Sequence, residues 1–278
     1  MTTKQYCLIS AVLLICTCLL GSCAQGPEPV RPGTPAFFWA TANSAWKAGD
    51  FVKTNDTLNQ IANTQSEFSA KARVWQLVVA SGLVQGYTDL ADAYDNGAKY
   101  NREDKTPFRE QVRVAMSTAS QLSVQAAETF QSFLKDEKTA TVAFDFPFPA
   151  GSTAEPAQMP KLKKGILLHG AEAEGLQSAM LQRGVVLAAM RAAGLAPDTP
   201  NPAEAFSKGA VREQFLTGMA GSLFEQSKIF GPKKLDQPQR LQALCTLAQQ
   251  ALGLVPPTAK TKELQGKIQG AMGKKRMT

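Results

Sequence analysis

Hydrophobic positions recur along most of this chain at helical rather than strand spacing. Phe38, Ala42, Ala45 and Trp46 share one face of a first segment. Phe51, Leu58, Ile61 and Ala62 share one face of a second, and Gly49-Asp50 lies between them. Gly49 stops the first helix, and the Asp50 carboxylate caps the next. Phe68 to Tyr100 keeps the helical period, with Gly86-Tyr87 at a turn-like position. Thr106 to Lys135 carries the most regular stripe, which includes Phe108, Val112, Ala115, Ala119, Phe130 and Phe133. Pro107 suits the first turn of that helix, because its missing N–H has no partner there anyway.

The period changes at 139–149. Phe144, Phe146 and Phe148 alternate, which argues for an extended segment, while Pro147 and Pro149 exclude a central strand. Two roles are open: an aromatic clip over the helical layer, or a strand offered to a partner. Residues 150–160 read as loop. Helical periodicity returns in Lys161 to Gly194, Ala203 to Phe230 and Pro238 to Leu254. The first two contain several glycines, each costing about 1 kcal/mol in a helix interior relative to alanine. The first of these helices is therefore either broken near Gly170 to Gly175 or packed very closely. The pattern predicts an all-α domain over 36–255. It is a helix-turn-helix stack or an irregular bundle of about eight to ten helices with one short extended segment near 140–149.

The N-terminus has a different character. Lys4 precedes an apolar run from Cys7 to Leu20, shorter than the roughly 20 residues a membrane span needs but long enough for a signal-peptide core. Leu20-Gly21-Ser22-Cys23 follows and resembles the lipobox of bacterial lipoproteins. The resemblance implies that 1–22 is a leader that is removed. Cys23 would then become the acylated first residue, anchored in membrane lipid by chains contributing about 0.8 kcal/mol per buried methylene. Ala24 occupies the position where enteric lipoproteins carry their sorting signal, and a residue other than Asp there implies the outer membrane, facing the periplasm. Residues 24–35 hold four prolines and read as a tether. With Cys7, Cys16 and Cys18 in the leader and Cys23 acylated, Cys245 is the one free thiol, and no internal disulfide is expected.

Residues 36–100 also resemble a degenerate tetratricopeptide repeat. Ala42, Trp46, Gly49, Asp50, Phe51 and Leu58 match the pattern of that family, whereas Thr54 stands where the family has alanine. The resemblance implies a concave face for a peptide or protein partner. Trp39, Trp46, Trp75, Tyr87 and Tyr94 are its candidate lining residues, although core packing is the stronger expectation for any one of them. Residues 36–133 further show a loose likeness to the helical lipoprotein component of some tripartite periplasmic transporters, which implies a ligand-sized channel with polar groups inside.

Charge and candidate chemistry change this picture little. The 278-residue chain has 30 basic and 23 acidic side chains, a net charge of +7. Much of the excess lies in a basic tail over 256–278, where Lys260, Lys262, Lys267, Lys274, Lys275 and Arg276 face Glu263 alone. The tail contains no aromatic residue, so a nucleic-acid groove is not expected. It reads as a solvated end or an attachment to an anionic surface. The single histidine, His169, lies three residues before Glu172, and that pair supplies two ligands where most metal sites need three or four. Two Ser-x-x-Lys matches, at Ser44 and Ser132, lack the companion motifs of penicillin-recognising enzymes. The expectation is a lipid-anchored, non-enzymatic binding or scaffold protein without a cofactor. A transport accessory is the first alternative and an envelope enzyme the second.

Overall fold

Thr34 begins the fold. Its hydroxyl accepts from the Phe37 N–H and caps α1 (Pro35–Lys47), which starts one residue earlier than the sequence suggested because Pro35 fits the first turn. Asp50 caps α2 (Phe51–Ala62) by accepting from the Lys53 N–H at 3.0 Å. The computed structural model describes residues 31–273, so the leader, Cys23 and most of the tether lie outside the described residues.

The centre of the molecule is α3 (Ser69–Tyr100), a helix of 32 residues. Three neighbours run antiparallel to their partners. On one side, α4 (Thr106–Asp136) turns back along α3, bringing Phe108 to Gly97 and Thr129 to Gln76. On another, α6 (Gly170–Ala192) crosses α3, with Val185 against Gly82 and Leu181 against Gly86. In turn α8 (Arg212–Ser227) packs on α6, with Gly218 against the Arg191 carbonyl. A one-turn 3-10 helix (Lys228–Phe230), α9 (Pro238–Leu252) and α10 (Ala259–Gly273) complete the bundle. The described residues thus form an all-α bundle with one two-stranded antiparallel pair.

The structure corrects several local expectations. No turn forms at Gly86-Tyr87, and α3 runs through both residues. Gly86 serves a crossing instead: a Cβ there would lie 2.7 Å from the Leu181 Cα, and one on Gly184 would lie 2.2 Å from the Gly82 carbonyl oxygen. Three glycines at one crossing let two backbones touch, which offsets their poor helix propensity. For Lys161 to Gly194 the break is the alternative that forms, just before Gly170, leaving the four-residue α5 (Met159–Leu162) and α6. Ala203 to Phe230 is not one helix either. It divides into α7 (Pro202–Ser207), β2 (Ala210–Val211) and α8, because β2 pairs with β1 (Thr141–Val142) in the register Thr141↔Val211. The basic C-terminal stretch is not a solvated end as far as Gly273, since α10 buries Ile268 and Thr261.

The alternating phenylalanines lie over the N-terminal half of the core as a clip. Phe146 is buried between Trp46 and Trp75, stacked on Trp75 at 4.6 Å, while Phe144 stacks on Phe206 at 4.2 Å. The Trp46 indole N–H donates to the Pro147 carbonyl at 3.0 Å, an acceptor left over where proline interrupts strand pairing. Buried polar rungs then set helix register. Gln76 accepts from Thr129 and donates to Asn59, and Gln226 accepts from Ser123 and donates to Ser81. Each rung crosses from one helix to another, so a slip of one turn would strand buried amides.

Candidate functional site

The five aromatic candidates do not come together on one exposed face. Trp46, Trp75 and Tyr94 are buried, and Trp39 is packed against Phe68 and Phe146. Large rings fill the gaps between helices, which is where apolar area is best removed from water. Tyr87 lines a groove of about 270 Å³, beside Val52, Asp56 and Leu122. Its hydroxyl pKa is raised by burial and by the nearby Asp56 charge, against a hydrogen bond with Gln177. His169 is exposed just before α6, and Glu172 pairs with Lys161 instead. Among the described residues no group of three or more possible metal ligands gathers.

The site with the most organised chemistry lies elsewhere, where α3, α4 and the 233–240 segment meet. A cleft of about 640 Å³ is lined there by Arg109, Arg113, Lys233, Lys234 and Arg240, against the carboxylates of Asp92 and Asp95. Several of these charges are already matched. Arg113 pairs with Glu110, Lys234 with Asp92, and Asp95 with Lys99. Arg109, Lys233 and Arg240 have no carboxylate within 4 Å among the described residues. Arg240 is held in place all the same. It donates to the Ser120 hydroxyl at 3.0 Å and lies over the Phe230 ring. A guanidinium positioned by a neutral hydroxyl and a ring keeps its charge available to a ligand.

Behind this cleft is an inner recess of about 210 Å³ between α3, α6 and α8. Asp92 and Lys234 line both chambers, and their ion pair at 2.8 Å stands between them. The walls of the recess are polar. Ser81, Ser222 and Gln226 are buried, and Gln85, Thr88 and Asp89 complete the α3 side. The Asp89 carboxyl is pushed up from its ordinary pKa by burial, against the opposing effects of the Gln85 hydrogen bond and the Arg183 charge. Arg191 enters from α6, and burial draws its guanidinium below its ordinary pKa, against smaller opposing effects of Glu225 and Asp89.

Sequence reasoning missed both chambers. The cations of the outer cleft are spread over 109–113 and 233–240, where each alone reads as a solvated helix face. The inner recess did leave a signal. Arg191 is the one charge in the apolar run from Val185 to Ala193, and a charge in such a run is either buried or lines a cavity.

Comparison with known proteins gives no family model, no curated protein and no solved structure that matches this chain.

Proposed function

We propose that this chain is a lipid-anchored, periplasm-facing helical binding protein of the bacterial cell envelope, non-enzymatic, tethered to membrane lipid through Cys23. The observation that supports a binding role is the outer cleft, where Arg109, Lys233 and Arg240 converge without carboxylate partners among the described residues. Such a cleft favours an acidic protein or peptide segment, attracting it at long range and pairing with it at contact. What the cleft offers is charge and amides, suited to holding a ligand. The leader and lipobox support the anchor. A second reading, an accessory ligand-binding lipoprotein of a periplasmic transport system, is favoured by the polar inner recess.

The test places a photo-crosslinking residue at Ser117, on the cleft wall, in the intact chain on native membranes. The expected adduct is with an acidic protein. It disappears when Arg109→Glu and Lys233→Glu are combined and weakens in Cys23→Ala. An adduct indifferent to the cleft charges would count against the acidic partner, and one indifferent to Cys23 against the tether.

A further inference from the structure

Three carboxylates, Asp89, Asp92 and Glu225, and three cations, Arg191, Lys228 and Lys234, line the inner recess. Glu225 is bound by Lys228, Asp92 by Lys234, and Asp89 by Arg183 at 3.1 Å. Arg191 has no carboxylate within 4 Å among the described residues, and the one hydrogen bond it makes there is from Nη1 to the Ser222 hydroxyl at 3.2 Å. A guanidinium has five N–H donors, so most of the fork of Arg191 faces the recess unused. The side chain is also built in. Its Cδ lies 3.8 Å from where a Cβ on Gly221 would sit, and its backbone carbonyl is fixed against Gly218. Glu225 and Asp89 act on it only at a distance, and a buried cation without a direct counter-ion is costly to maintain.

We propose that the inner recess is a binding site for a single carboxylate group, held by the fork of Arg191 with the Ser222 hydroxyl beside it. The inference rests on the reading of the cleft as a binding site, since Asp92 and Lys234 line both spaces. Charge selects the chemistry. Each lining carboxylate already has its own cation, with Arg183 serving Asp89 from outside the lining, so Arg191 is the one lining cation left to pair with a ligand charge. A phosphate dianion would bring a second negative charge close to Asp89, Asp92 and Glu225, all of which line the same space. A planar carboxylate also matches the bidentate geometry of a guanidinium. Two sources share this chemistry: a free small carboxylic acid, or an acidic side chain of a segment lying in the outer cleft.

The experiment is isothermal titration of the intact lipidated chain with propionate, inorganic phosphate and a hexaglutamate peptide. Propionate or hexaglutamate should bind saturably, propionate at least about tenfold tighter than phosphate. Arg191→Gln should weaken carboxylate binding at least about tenfold, and Arg191→Lys should restore it in part. Thr88→Glu supplies an internal carboxylate and should abolish propionate binding. It keeps the question open to test if Arg191→Gln does not fold. In the unliganded chain, Arg191→Gln should leave the Tm unchanged or raise it, whereas a purely structural arginine would lower it. Loss of propionate binding alone in Arg191→Gln identifies a free acid as the ligand, and loss of hexaglutamate binding with it identifies a partner's side chain. Equal binding of both probes in wild type and Arg191→Gln, or a preference for phosphate, would overturn the inference. Hexaglutamate binding that depends on Arg109 and Lys233 but not on Arg191 would overturn it while leaving the outer cleft intact as a binding site.

Discussion

At the scale of single residues, the informative groups are charges and thiols in unusual surroundings. Asp89 is a carboxylate whose pKa burial raises, so the folded chain holds its proton more tightly than the unfolded chain does. Its contribution to stability is fully present below the ordinary carboxylate pKa and is lost as pH rises through the raised value. Asp89→Asn removes that slope. Its Tm relative to wild type should therefore climb between about pH 3 and about pH 7, measured by thermal melts. A difference that is flat or falls over that interval would contradict the burial of Asp89. Cys245 shows the same logic with a thiol. It is buried, its Sγ donates to the Ser227 hydroxyl at 3.4 Å, and burial raises its pKa. A thiol-specific reagent should label Cys245 at the rate of unfolding rather than on mixing, since both access and thiolate are lacking in the folded chain.

At the scale of elements, glycine has opposite meanings in different helices. At the α3–α6 crossing, Gly82, Gly86 and Gly184 are where two backbones meet. Gly184→Ala should cost about 3 kcal/mol, because its Cβ would meet the rigid Gly82 carbonyl rather than a movable side chain. Gly266, exposed in α10 with nothing near its missing Cβ, should behave in the reverse way. Gly266→Ala should stabilise the chain by about 1 kcal/mol. Denaturant titration of the two variants gives both signs in one experiment. The contrast explains what was legible in the sequence. The α1–α2 pair, α4 and α9 announce themselves, because each buries one face and so keeps an amphipathic stripe, with side-chain caps at Thr34 and Asp50 and a proline opening α1, α4 and α9. The unbroken α3 does not, since it is covered by neighbours on several sides and its glycines mimic turn signals. The division of 203–230 was hidden for another reason. It is imposed by pairing with Thr141–Val142, some 70 residues away, and local periodicity carries no record of such a partner.

For the whole molecule, what matters is how charge is distributed over the fold. The sequence places most of its basic excess in the C-terminal stretch, and α10 occupies much of that stretch as a docked helix. The cations that gather do so through folding, which carries the 109–113 turn of α4 to the 233–240 segment. The aromatic residues show the converse. Trp46, Trp75 and Tyr94 are conspicuous in the sequence and spend their surfaces inside the bundle, with the phenylalanine clip closing over the two tryptophans. Among the described residues no helix is long and apolar enough to cross a membrane, and the segment proposed to carry the anchor lies outside them. The account of function therefore depends on the two adjacent chambers and their cations without carboxylate partners, Arg109, Lys233, Arg240 and Arg191. The most direct test is fluorescence anisotropy of labelled hexaglutamate and hexalysine with the intact chain, at low and high salt. Hexaglutamate should bind, should weaken at least about tenfold between about 0.05 M and 0.5 M salt, and should be lost in the combined Arg109→Glu and Lys233→Glu variant. Equal binding of the two peptides, or binding unaffected by salt and by those charge reversals, would contradict a basic cleft built to hold an acidic ligand.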